Sequence, residues 1–201
     1  MAVKFANNNS LSAITSLPAS ISGGAWTLLS TATASSSATL SFTSGIDSTY
    51  KEYIFKFINM HPATNAVYLT FNGSADSGSN YNVTKTTATF VARHDEADSA
   101  TSLAYTTGDD LAQSTAFQII TGVVGNGNDE SVSGTLHLFD PSNTTFVKNF
   151  IATANTYDRD DKSTNEFLAG YFNTTSAVDA VQFKMSSGNI DSGVIKLYGV
   201  S

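Results

Sequence analysis

The sequence predicts an all-β fold: an antiparallel two-sheet sandwich of jelly-roll type, preceded by an extended N-terminal arm. Three observations carry that expectation. Apolar residues recur with period two in many short runs, which places alternate side chains on one face of a pleated strand. Turn signals built from Gly, Asn and Pro separate the runs. No stretch carries a convincing helical pattern, and a sheet with one apolar face must bury it against another layer.

The elements follow in chain order. Trp26 to Thr33 opens after the flexible pair Gly23-Gly24, and Thr39 to Thr43 ends at Ser44-Gly45. Tyr53 to Met60 and Val67 to Asn72 come next, the latter closed by an expected turn at Asn72-Gly73. Thr86 to Arg93 and Ala116 to Val124 precede the loop signal Asn126-Gly127, and Gly134 to Phe139 runs into Asp140-Pro141. Phe146 to Ala154, Phe167 to Phe172 and Ala180 to Met185 follow, and Ser187-Gly188-Asn189 turns the chain into Val194 to Val200. That makes about eleven strands. Phe55, Phe57, Leu69, Phe71, Leu136, Leu138, Val181, Phe183, Ile195 and Leu197 form the expected inward set. Trp26, a lone Trp inside an apolar strand, is expected with them rather than on the surface as a sugar platform.

At 201 residues one domain is the default, here residues 25–201, with residues 1–24 as the arm. Phe5, Leu11, Ile14, Leu17 and Ile21 recur along that arm. Two readings stand side by side: a disordered terminus, or a strand that uses these five residues to contact a neighbouring subunit.

Composition excludes several classes. Ten Lys and Arg against 17 Asp and Glu give a net charge of -7, which repels phosphate and argues against a nucleic-acid partner. Only 13% of residues are charged, while about a quarter are Ser or Thr, so the surface is neutral and rich in hydroxyls. There is no cysteine, hence no disulfide or thiolate chemistry. No apolar run approaches the length of a membrane span, and no export signal is recognisable, so no membrane partner is expected.

Candidates for chemistry are sparse. His61, His94 and His137 have no second histidine at metal-ligand spacing, and His137, between Leu136 and Leu138, points to the opposite sheet face. Gly125-Asn126-Gly127-Asn128-Asp129-Glu130 begins like a dinucleotide-binding run but lacks the third glycine and leads into a strand. No nucleophile elbow or phosphate loop occurs, so neither a catalytic residue nor a cofactor is assigned. Acidic residues gather in four loops: Asp95, Glu96 and Asp98; Asp109 and Asp110; Asp129 and Glu130; Asp158, Asp160 and Asp161. The last set could hold calcium, although the twelve-residue calcium-loop pattern is absent and acidic loop tips are ordinarily just solvated.

Two stretches carry a resemblance. Gly24-Ala25-Trp26-Thr27-Leu28-Leu29, continuing through Ser41-Phe42-Thr43-Ser44-Gly45-Ile46-Asp47-Ser48-Thr49-Tyr50 to Tyr53-Ile54-Phe55, resembles virion structural proteins of tailed bacteriophages, marine ones especially. So do Gly134-Thr135-Leu136-His137-Leu138-Phe139-Asp140-Pro141, Phe172-Asn173-Thr174-Thr175-Ser176-Ala177 and the closing stretch from Ser187 to Gly199. The resemblance implies a non-enzymatic particle component located in the virion: a capsid decoration or cement protein, with a tail or fibre subunit as the alternative. It implies a symmetric oligomer, a homotrimer by family analogy, touching other virion proteins such as the major capsid protein. Under the fibre alternative the partner is a host-surface glycan, stacked on Tyr81, Tyr105 or Tyr157. Residues 74–115 fit the resemblance least and are the expected place for a particle-specific contact.

Overall fold

The computed structural model describes residues 25–201; the arm positions Phe5, Leu11, Ile14, Leu17 and Ile21 lie outside the described residues. Twelve strands and no helix make up the described chain: β1 (Trp26–Ser37), β2 (Leu40–Phe42), β3 (Glu52–Pro62), β4 (Leu69–Ser74), β5 (Lys85–Asp95), β6 (Thr101–Tyr105), β7 (Gln118–Ile119), β8 (Val132–Phe139), β9 (Lys148–Tyr157), β10 (Lys162–Phe172), β11 (Ala180–Met185) and β12 (Ile190–Val200).

They form two antiparallel sheets, one of eight strands in the order β1-β12-β3-β8-β9-β10-β5-β6 and one of four in the order β2-β11-β4-β7. Four pairings nest: β1 with β12, β2 with β11, β3 with β8, and β4 with β7. The hairpins β5–β6 and β9–β10 interrupt that nest. They meet each other through β10 and β5, so the large sheet continues four strands past β8.

All ten residues of the expected inward set are buried. Phe42, Phe55, Phe71, Phe150, Phe172 and Phe183 meet in edge-to-face and tilted contacts at 5.0–6.2 Å between ring centroids, the geometry that the aromatic quadrupole favours.

The structure corrects four expectations. Trp26 is not in the core; it is 44% exposed, lies 5.7 Å from the Tyr198 ring and has the Lys56 ammonium 5.1 Å from its own ring centroid. The reason is a register shift between Leu28 and Ser30. One extra residue flips the parity, so Trp26 and Leu28 face out while Ala32 and Ala34 face in. Asn72-Gly73 is no turn but part of β4, fully inside the protein. The Asn72 amide donates to the carbonyls of Tyr81 (2.7 Å) and Thr115 (3.0 Å), and a Cβ on Gly73 would sit 2.8 Å from the Phe172 ring. The expected strand from Ala116 to Val124 shrinks to β7, beyond which one bond from the Ile120 amide to Leu69 O and a reciprocal pair between Val124 and Val67 hold the segment. Finally, β6 carries no clear periodic signal and was not expected as a strand.

Gly73→Ala is expected to lower the unfolding free energy by about 1–3 kcal/mol, because the added methyl must displace Phe172 and Val178 in a filled core. Urea unfolding followed by tryptophan fluorescence measures it.

Candidate functional site: the outer face of the sheet extension

Of the four added strands, β9, β10 and β5 bury an unusual share of polar side chains beside Val91, Phe150, Ala152, Ala154, Leu168 and Phe172, while β6 is exposed on both faces. Their inward positions include Lys85, Thr87, Thr89, Lys148, Thr156, Thr164 and Glu166, all buried. Cover on this side comes in part from the loop between β6 and β8, whose irregular backbone needs hydrogen-bond partners. The inward side chains supply them. Lys85 Nζ donates to Ala116 O (2.6 Å), the Leu111 amide donates to Thr87 Oγ1 (2.8 Å), and Thr87 donates to the Gln118 carbonyl oxygen (2.7 Å). Gln118 Nε2 in turn donates to Asp109 O and Ile119 O. Lys148 Nζ reaches Phe146 O and Thr174 O.

Two ionisable groups record the cost of this arrangement. Burial pushes the Lys85 amine down to about 8. Burial also raises the Glu166 carboxyl, with the Asp109 carboxylate adding to the effect and the Thr89 hydroxyl bond and Arg93 opposing it. Thr89 donates to Glu166 Oε1 at 2.6 Å, while Glu166 Oε2 has no partner. At 1% exposure Glu166 has no contact with a solute outside the protein.

With polar groups inside, the same strands show apolar groups to solvent. Cross-strand pairing sets Phe167 beside Phe90 and Phe90 beside Tyr105 in one row, and Ile151, Ala169 and Ala88 in the next. Phe90 and Phe167 stack at 4.7 Å with planes 10° apart. Phe90 is 45% exposed, Ile151 49% and Leu103 74%. The small side chains of Ala88 and Ala169 leave two adjoining shallow hollows, of about 470 and 250 Å³. No Asp, Glu, Lys, Arg or His lines either one. An exposed apolar patch without charge marks a candidate interaction surface; Trp26, Leu28, Ile58 and Phe146 are exposed apolar residues elsewhere on the molecule.

The candidates read from the sequence fall elsewhere. His61 Nδ1 lies 2.7 Å from Glu130 O, His94 pairs with Asp98 at 3.1 Å, and His137, half-buried on the outer face, pairs with Glu52 at 2.6 Å. The Asp158, Asp160 and Asp161 carboxylates do not converge. Asp158 accepts from the amides of Asp160 and Lys162 and from Thr164 Oγ1, Asp160 faces Arg159 and Lys162, and Asp161 accepts from the Tyr157 hydroxyl. Among the described residues, no group of three or more His, Cys, Asp or Glu is placed to hold a metal ion. Of the three tyrosines, Tyr81 is half-buried, and Tyr157 is held by Asp161, whose bond pushes its hydroxyl up to about 12. Tyr105 alone borders the apolar face, with its hydroxyl on Asp110 at 2.6 Å.

No protein-family model matches the chain, and no curated protein and no solved structure does.

Sequence reasoning assigned no role to Phe90, Leu103, Ile151 or Phe167. The available signal was the alternation itself: Thr87, Thr89 and Val91 against Ala88, Phe90 and Ala92. Period two separates the faces but does not say which one meets water.

Two outcomes test this distribution of polarity. Phe90→Ala is expected to cost under about 1 kcal/mol, whereas Phe71→Ala costs about 3–5, because only the latter leaves a cavity. For Lys85, a folded-state value below the ordinary lysine value of 10.5 means that the unfolded chain binds the extra proton between pH 8 and 10.5, so stability rises with pH across that window. The rise, up to about 3 kcal/mol, is expected to vanish in Lys85→Met, as urea titrations at pH 7, 9 and 10.5 would show.

Proposed function

We propose that this chain is a non-enzymatic structural subunit of a tailed-phage virion. In this reading it decorates or cements the capsid and self-associates as a symmetric oligomer, a homotrimer by family analogy. The observation that carries the reading is the uncharged apolar face of β9, β10, β5 and β6, which is fit to pack against another virion protein such as the major capsid protein. Residues 85–105 supply half of those strands and fall within the stretch that resembles phage proteins least, as a particle-specific contact would. The nested pairing of β1 with β12, β2 with β11, β3 with β8 and β4 with β7 supports a jelly roll with two inserted hairpins. Low surface charge suits the role as well, because each charge buried between subunits needs a partner while hydroxyls are satisfied by backbone or water.

The rival is a tail or fibre subunit that binds a host-surface glycan. It is favoured by one observation, the exposed Tyr105 ring beside the Phe90–Phe167 stack. A glycan array probed with and without calcium separates the two: binding that is lost in Tyr105→Ala would favour the fibre.

Phe90→Asp combined with Phe167→Asp is expected to reduce occupancy on undecorated particles by tenfold or more while the circular dichroism stays unchanged. Deleting residues 1–23 is expected to reduce it too, by breaking contacts between copies. Unchanged occupancy in both variants, or a copy number of a dozen or fewer per particle, would remove the capsid reading.

A further inference from the structure

We infer that the free edge of β6 is the seat for residues 1–24 of a second copy of this chain, which adds a strand to the eight-stranded sheet. This rests on the self-association proposed above but not on the particle.

Among the described residues, the backbone of β6 is half unpaired. The Thr106 amide donates to Thr89 O and the Asp95 amide to Ala100 O, so by antiparallel alternation Ser102 and Ala104 bond to β5. The amides and carbonyls of Thr101, Leu103 and Tyr105 therefore face away from the sheet. Strand edges are ordinarily guarded by charge, proline or a bulge. Here Ser99 to Gly108 contains no charged residue and no proline, and the pairing of β5 with β6 has no register shift. An incoming strand would place alternate side chains next to Leu103 and Tyr105, extending the row of Phe167, Phe90 and Tyr105 and the neighbouring row of Ala92 and Leu103.

Charge selects the occupant. Asp95, Glu96 and Asp98 lie before this edge, and Asp109 and Asp110 lie after it. Two β6 strands paired antiparallel about Leu103 would set one copy's Asp98 end against its partner's Asp109 end, like charge against like. Residues 1–24 carry no acidic residue and one lysine, Lys4, and strand alternation would put Leu11 and Leu17 on one face to cover apolar surface, with Ile14 on the other. Ser10 to Leu17 is free of both charge and proline.

Position selects the copy. Residue 25 enters β1, at the opposite edge of the sheet from β6. Seven strand spacings separate the edges by roughly 34 Å, and 24 residues span at most about 80 Å. An arm that leaves one copy at β1 meets β6 of a copy lying alongside without crossing its own sheet. Donor and acceptor at opposite edges make a head-to-tail contact, which closes into a ring where the rotation allows.

The chain has no cysteine, so disulfide trapping is clean. One variant carries Thr101→Cys; a second set carries single cysteines at positions 10 to 17; the two are mixed under mild oxidation. We expect mixed disulfide dimers at alternate arm positions, and Leu103→Pro, which removes an outward amide but no bond to β5, is expected to reduce trapping tenfold or more. Trapping of Thr101→Cys with itself would make the occupant a second β6 and overturn the inference. So would a purely intramolecular link in a variant that carries both Thr101→Cys and an arm cysteine, or no link at any arm position. The cysteine scan stands whether or not Leu103→Pro folds. Failure to bind particles with the alternate-position pattern intact would sink the virion reading and leave this one in place.

Discussion

An eight-stranded sheet faces a four-stranded one, and that mismatch of area governs the molecule. Over β1, β12, β3 and β8 the small sheet supplies a second apolar layer and the core is ordinary: phenylalanines edge to face, aliphatics between them. Over β9, β10 and β5 the cover is mixed: Phe71 of β4 packs on Phe150 and Phe172, Gln118 of β7 bonds Thr87, and the loop between β6 and β8 adds to them. Loop backbone brings donors and acceptors that no ladder satisfies, and a buried peptide group without a partner is costly. The inner face there therefore sets Lys85, Thr87, Thr89, Lys148, Thr164 and Glu166 among the apolar Val91, Phe150, Ala152, Ala154, Leu168 and Phe172, and Lys85 and Thr87 complete such bonds.

The same requirement accounts for the outer face. A strand has two faces, and in β5 and β10 the inward positions are taken largely by polar residues, leaving Ala88, Phe90, Phe167 and Ala169 to point out. Nothing in the folding of one copy needs a stacked Phe pair in solvent. Burying such rings is worth about 1.5–3 kcal/mol each, a gain available only when another surface covers them. The polar interior and the apolar exterior of the extension are two results of one asymmetry.

How far the fold could be read in advance followed the same division. Where one face is apolar and the other polar, as at Phe55 and Phe57 or Leu136 and Leu138, alternation located the strand and its inward side together. Where parity breaks at a bulge, as between Leu28 and Ser30, it placed Trp26 on the wrong side. Where both faces carry apolar or small residues, as in β5, it found the strand but not its orientation. Asn72-Gly73 has the composition of a turn; only the packed Phe172 ring, a hundred residues away, requires a glycine there. For β6, five residues exposed on both faces, no burial pattern existed to detect. The interaction surface lies in those last categories, because it is defined by departures from the pattern that reveals a core.

The pairing of β1 with β12 has a temporal meaning. β12 lies between β1 and β3, so the large sheet has a vacant lane until the last eleven-residue strand has been made. During synthesis β1 and β3 wait with unpaired edges, and contacts of such long sequence separation are the slow ones to form. Completion of the sheet is thus tied to completion of the chain, and a ribosome that stalls before residue 190 releases a polypeptide lacking the strand that joins its first element to the rest.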